Sequence, residues 1–270
     1  LYLTIDKEAV KKSGMLMATD TIPDRMVISL KGKNALYKGD LMMLEMLAQC
    51  NWTRPIYVAI TVGSDNYMNL GDNFVQEGLA SRITPFTTNV AGAKNFDSER
   101  VYTNMMTRFK YGGIDKKGIY LDETVMRMCY THRRLFAQLA LSLVAEKKLD
   151  KAKKVLAYAE KMIPAYNVPR DYLSGSLDMA KAFAFVGDKA KAGEITKDVF
   201  KNAHQYMVWY NSLTGSRFTQ AQQDCMMHIY VMSMCIDNAS MFDKALADKL
   251  EAQFKADLAV YQGKGGVLPQ

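Results

Sequence analysis

Apolar and polar residues alternate along this chain with two different periods, and the change of period near residue 95 divides it. Before that point, β-type runs interleave with one helical pattern. Leu1 to Ile5 reads as a strand, Met26-Val27-Ile28-Ser29-Leu30 as a stronger one, and Lys31-Gly32-Lys33-Asn34 as a turn. Asp40 stands where an N-cap belongs, ahead of a helix over 41–50 whose Leu41, Leu44, Leu47 and Ala48 share an apolar face. Pro55 to Val62 is a nearly continuous apolar, β-rich run closed by Gly63, which predicts a strand buried on both faces. If the strands flanking the helix pair in parallel, their crossover is right-handed. Leu79 to Thr84 supplies another strand, and Asn89 to Asn95 is a connector at the division.

From Ser98 onward Pro and Gly thin out and helical periodicity dominates. Phe136, Leu139-Ala140, Leu143, Ala152, Leu156, Ala159 and Pro164 follow the tetratricopeptide order of large and small residues within a period of about 34. The small positions let two helices approach, and the large ones fill the gap to the next pair. Ala180, Phe183, Gly187 and Ala192 begin a second unit. The step from Ala152 to Ala192 is 40, because Asn167 to Tyr172 lengthens the connection. The segments 220–236 and 241–261 have the lengths of a third hairpin, with Ala245 and Ala252 at its small positions. A long helix over 121–147 carries the acids Asp122 and Glu123 in its first turn, favourable for the helix dipole. The reading is α+β: a small mixed α/β domain over 1–95, then tetratricopeptide-like helical hairpins over 96–270.

Composition narrows the class. A hydrophobic content of 49% suits a real core, and no run approaches the length of a membrane-spanning helix. The net charge of +7 comes from lysines spaced along helices, such as Lys147, Lys151, Lys154 and Lys189, Lys197, Lys201, which suits wet helix faces better than a track for nucleic acid. Four cysteines lie far apart without a C-x-x-C and read as buried free thiols. The chain opens Leu1-Tyr2-Leu3 with neither an initiator Met nor a signal sequence, as expected of a segment of a longer protein.

Candidate chemistry is sparse. Cys129 with His132 and Cys225 with His228 each have i, i+3 spacing that suits a zinc ligand pair, but they lie on separate repeats, and ordinary packing is the competing reading. The common hydrolase, metalloprotease and nucleotide-binding signatures do not occur, so no catalytic residue and no cofactor is assigned. Asp40, Arg54, Asp65, Glu77 and Arg82 either converge on a polar cleft or serve as ion pairs and caps around the sheet. Arg54 lies between a helix end and an apolar strand, which predicts a buried guanidinium paired with Asp40, Asp65 or Glu77. Tyr206, Trp209 and Tyr210 either stack on a ligand or pack between helices. Asn51-Trp52-Thr53 and Asn238-Ala239-Ser240 match the N-glycosylation acceptor pattern.

The stretches Tyr37-Lys38-Gly39-Asp40, Asn51-Trp52-Thr53-Arg54-Pro55-Ile56-Tyr57-Val58-Ala59, Asp65-Asn66-Tyr67 and Glu77-Gly78-Leu79-Ala80-Ser81-Arg82 resemble the C-terminal soluble region of a family of bacterial multi-spanning membrane proteins. That family is a domain of unknown function related to the protein O-mannosyltransferases, and the resemblance runs on through the helical repeats, so it covers most of the chain. The resemblance implies a parent with a GT-C glycosyltransferase membrane region, a lipid-linked sugar donor, and a tail on the periplasmic face. The catalytic loop of such enzymes belongs to the membrane region, so no catalytic residue carries over. The expected role is a non-catalytic recognition or scaffolding tail whose partners are its own membrane region and an acceptor polypeptide or glycan. The alternative is a free-standing periplasmic glycan-binding protein or hydrolase with a cleft between the two parts.

Overall fold

Short antiparallel strands realise the β-type runs of the first hundred residues. In a computed structural model, which describes residues 1–17, 20–87, 89–90 and 93–267, β1 (Tyr2–Thr4) pairs with β2 (Arg25–Val27), and α1 (Lys7–Lys12) lies between them. The Asp6 side chain caps α1 by accepting the Glu8 and Ala9 N–H groups. After α2 (Lys38–Cys50), a three-stranded antiparallel sheet has the order β3 (Tyr57–Ala59), β5 (Ala80–Ile83), β4 (Phe74–Gln76). The pair β6 (Asn89–Val90) and β7 (Ala93–Lys94) falls in the expected connector, whose Ala91 and Gly92 lie outside the described residues.

Several expectations are corrected here. Because β2 and β3 lie in different sheets, no parallel crossover forms around α2. The run from Pro55 yields an edge strand, with Tyr57 and Ala59 exposed, because only β5 covers it. Asp40 is not the N-cap: α2 begins at Lys38, and Asp40 accepts the Tyr37 N–H at 2.9 Å and the Lys33 ammonium at 2.8 Å. Leu41 and Ala48 face outward, and α2 buries Leu47 and half-buries Met43 and Leu44. Asn51 and Trp52, both left-handed, end the helix and drop the Trp52 ring into a core with Met26, Ile28, Leu47, Met68 and Ile83. Each such fully buried side chain contributes about 1.5–3 kcal/mol.

The chain divides into two units at Phe109/Lys110, fourteen residues beyond the expected division at 95. The physical cause is a strand-like pairing of the connector. Gln76 N–H donates to Asn95 O at 2.8 Å and Asp97 N–H to Gln76 O at 3.0 Å, so Phe96 is buried beside β4. The helix α3 (Ser98–Thr103) and the π turn after it (Asn104–Arg108) then bury Val101 and Met105 in the same unit.

The second unit is a helical bundle of α4 (Glu123–Ala145), α5 (Leu149–Met162), α6 (Ser176–Phe185), α7 (Lys189–Ser212), α8 (Gly215–Ser240) and α9 (Lys244–Gly263). Asp122 caps α4 through the Val125 N–H. Connections of three residues at 146–148, 186–188 and 241–243 force α4/α5, α6/α7 and α8/α9 into antiparallel pairs. Ala140, Ala152, Ala159, Ala180 and Ala192 are all buried where helices meet. In the last pair the expected small residues are exposed: Ala245 and Ala252 face solvent, while Cys235, Ala239 and Ala247 are buried.

The long connection after α5 is held by two arginines. Arg133 is buried and donates to the carbonyls of Ile163, Val168 and Pro169 at 3.1, 2.6 and 3.0 Å. Burial pushes its guanidinium down to about 10, and it stays charged at neutral pH. Arg170, also buried, binds Glu160, Glu194 and Asp198 at 2.6, 2.8 and 2.7 Å, tying the connection to α5 and α7.

Candidate functional site

Two of the residues singled out in the sequence meet in the first unit. Glu77 and Arg82 lie on either side of the turn between β4 and β5, which register pairing folds back so that Val75 faces Arg82. Gly78 at the turn has φ of 142°, and a Cβ there would meet the Phe109 ring at 2.9 Å, so glycine is required. The Glu77 carboxylate accepts from Arg82 Nε at 3.0 Å, from the second Arg82 nitrogen at 3.2 Å and from Tyr57 Oη at 2.7 Å. Both charged side chains are buried, 8% and 9% exposed. Burial first, and the Glu77 hydrogen bond second, raise the Tyr57 phenol above its ordinary range, so it remains the donor.

The α3 segment completes this network. Arg100 reaches Glu77 at 3.4 Å and Asp97 at 2.8 Å and also donates to the Gly14 carbonyl, while Asn104 donates to the Glu77 carbonyl at 2.6 Å. The side chains of Tyr57, Glu77, Arg82, Arg100, Asn104 and Arg108 line a cleft of about 360 Å³. Two of its arginines, Arg82 and Arg100, are matched by Glu77 and Asp97, while Arg108 donates to the Asn104 side-chain oxygen at 3.2 Å. The arrangement braces β3, the β4–β5 turn and α3. Tyr57, Asp97, Arg100 and Asn104 escaped the sequence reading. The one available signal was the β-type alternation that puts Tyr57 opposite Arg82 across a strand pair.

The other marked residues of this unit lie apart. Asp40 is occupied by Lys33, and Asp65 is exposed in a short 3-10 turn, Ser64–Asn66. The buried, paired Arg54 is overturned: the residue is exposed and forms no ion pair among the described residues. The left-handed turn that buries Trp52 carries the chain outward, and the edge strand β3 offers no low-dielectric pocket for the guanidinium.

In the second unit, Tyr206 and Trp209 stand on α7 with 43% and 55% of their surface exposed. Behind them lies an aromatic cluster. Tyr206 stacks on His228 of α8 at 4.4 Å and 13° between planes, Trp209 leans on Tyr210 at 4.7 Å, and Tyr172 meets His228 edge-on. His228 is buried, and its Nδ1 has no hydrogen-bond partner among the described residues. Burial pushes the His228 imidazole below its ordinary value, against the opposing pull of Asp171 and Asp224. The zinc-like pairs resolve into packing: Cys225 is buried in the apolar core, and His132 Nδ1 lies 2.8 Å from the Met128 carbonyl oxygen. Among the described residues no three His, Cys, Asp or Glu side chains converge as metal ligands. Asn238 of the second acceptor tripeptide is buried and donates to the Leu177 carbonyl.

Residues 1–105 match the family model described as TMEM260-associated domain 2, a domain of unknown function tied to TMEM260, a predicted O-mannosyltransferase-like membrane protein. The stretches quoted for the resemblance lie inside this match, whereas the helical repeats, over which the resemblance is expected to continue, lie beyond it. No curated protein and no solved structure matches the chain.

Proposed function

We propose that this chain is a non-catalytic recognition tail of an O-mannosyltransferase-like membrane protein, in which tetratricopeptide-like helical hairpins hold an acceptor polypeptide. The observation that carries the reading is the aromatic face of α7. Tyr206 and Trp209 expose large apolar surfaces that the fold does not need covered, on a base stiffened by the stacked His228 and Tyr210. Exposed, rigid aromatic side chains bind extended polypeptide or sugar at a low entropic cost. The buried alanines at 140, 152, 159, 180 and 192 support the tetratricopeptide-like reading, which relies on close helix approach at such positions. The match of residues 1–105 supports the link to a membrane parent, and by the resemblance that parent is of the GT-C type with this tail on the periplasmic side.

The chain has two tryptophans, of which Trp52 is 4% exposed. With Trp52→Phe, fluorescence therefore reports on Trp209 alone. An unglycosylated Ser/Thr-rich peptide should shift this emission saturably, and Tyr206→Ala should abolish the shift. A shift produced by free oligosaccharide and not by the peptide would replace this reading with glycan binding. Glycosyl transfer or glycoside hydrolysis by the isolated chain would refute the non-catalytic role.

A further inference from the structure

A second face of α7 carries chemistry that the aromatic face does not use. Lys197, Lys201 and His204 recur at i, i+4 and i+7, so they follow one side of the helix for two turns, about 10 Å. Across from them Lys249 rises from α9, and between the helices lies a groove of about 510 Å³. Its floor is apolar, with Phe200 from α7 and Leu250 from α9.

The charges in this groove do not cancel. Among the described residues Lys197, Lys201 and Lys249 form no ion pair, and all three are exposed. The acid at the rim, Asp198, is drawn off by Arg170 at 2.7 Å. The buried Asp257 pairs with His204 Nδ1 at 2.6 Å and with Gln253 at 3.3 Å, which fixes the imidazole at the groove edge. Of the other lysines on these helices, Lys191 pairs with Glu160 and Glu194, Lys244 with Asp248 and Lys255 with Glu251, while Lys189 at the start of α7 forms no ion pair among the described residues. Three unpaired lysines thus share one apolar groove, where their repulsion is relieved by an incoming negative charge.

We propose that the α7/α9 groove docks an acidic amphipathic segment of a partner polypeptide, its apolar side chains over Phe200 and Leu250 and its carboxylates on Lys197, Lys201 and Lys249. A second copy of this chain is a poor occupant, since it too carries +7. The inference is independent of the aromatic face, because the groove residues point to another side of α7.

The test is titration of the whole chain with a labelled synthetic peptide of about fourteen residues, Glu and Leu at helical spacing, followed by anisotropy. Saturable binding is expected, weakening at least roughly tenfold in the variant K197E/K201E/K249E and severalfold as salt rises from about 0.05 to about 0.5 M. Tyr206→Ala should leave it unchanged, so failure here and failure of the aromatic reading are separable. The proposal is overturned by absence of binding, by equal binding to the reversed variant, or by lysine-dependent capture of phosphatidylglycerol vesicles without capture of the peptide. Unchanged circular dichroism and unfolding midpoint of the variant, expected for three exposed lysines, establish that any loss is of binding.

Discussion

Removing the Glu77 carboxylate tests the network of the first unit most directly. In Glu77→Gln, Arg82 keeps Tyr57 Oη at 2.9 Å but loses the only acid it pairs with among the described residues, while remaining buried. Breaking a buried pair from one side costs about 3–5 kcal/mol, because the surviving charge stays desolvated. The reverse change, Arg82→Met, is less severe. Glu77 then retains Arg100 at 3.4 Å and the Tyr57 hydroxyl at 2.7 Å, and a loss nearer about 2 kcal/mol is expected. The double variant leaves no stranded charge and should be more stable than the sum of the single losses allows, with a coupling of about 1.5–3 kcal/mol. Urea unfolding followed by Trp52 emission in a Trp209→Phe background reports this unit, since Trp52 sits in its core. Equal losses for the two single variants, or additivity within about 0.5 kcal/mol, would refute the reasoning.

Arg54→Met should change the unfolding midpoint by less than the equivalent of about 0.5 kcal/mol, as for an unpaired surface residue; a loss of several kcal/mol would restore the buried reading. Ala152→Leu should overpack the α4/α5 contact and destabilise the bundle by about 1–3 kcal/mol, measured by thermal unfolding. His228, pushed below its unfolded value by burial, binds its proton more weakly in the folded chain, so stability falls as pH drops through and below about 6.5. The stability gap between the wild type and His228→Gln should therefore narrow between about pH 7 and pH 5; a constant gap contradicts a neutral, buried imidazole.

Periodicity alone determined several elements, though not α1, β4 or the β6/β7 pair. The Met26 and Leu79 runs are strands, and the spacing of Phe136, Leu139, Ala140 and Leu143 buries all four on one face of α4. These readings succeed because alternation and helical spacing record whether a position faces the core of its own element. What faces it is another matter. Arg54 and Arg82 sit in similar apolar surroundings along the chain, yet one is exposed and the other buried against Glu77. The difference arises from a left-handed turn at Asn51 and Trp52 and a strand register, neither of which a one-dimensional pattern contains. For the same reason the buried alanine of α9 is Ala247 and not the expected Ala245, since a two-residue shift along α9 is a rotation of about 200° that only packing against α8 selects. The stack of Tyr206 on His228, the arginine-held connection after α5 and the lysine-rimmed groove between α7 and α9 are contacts between distant segments, and tertiary structure alone decided them.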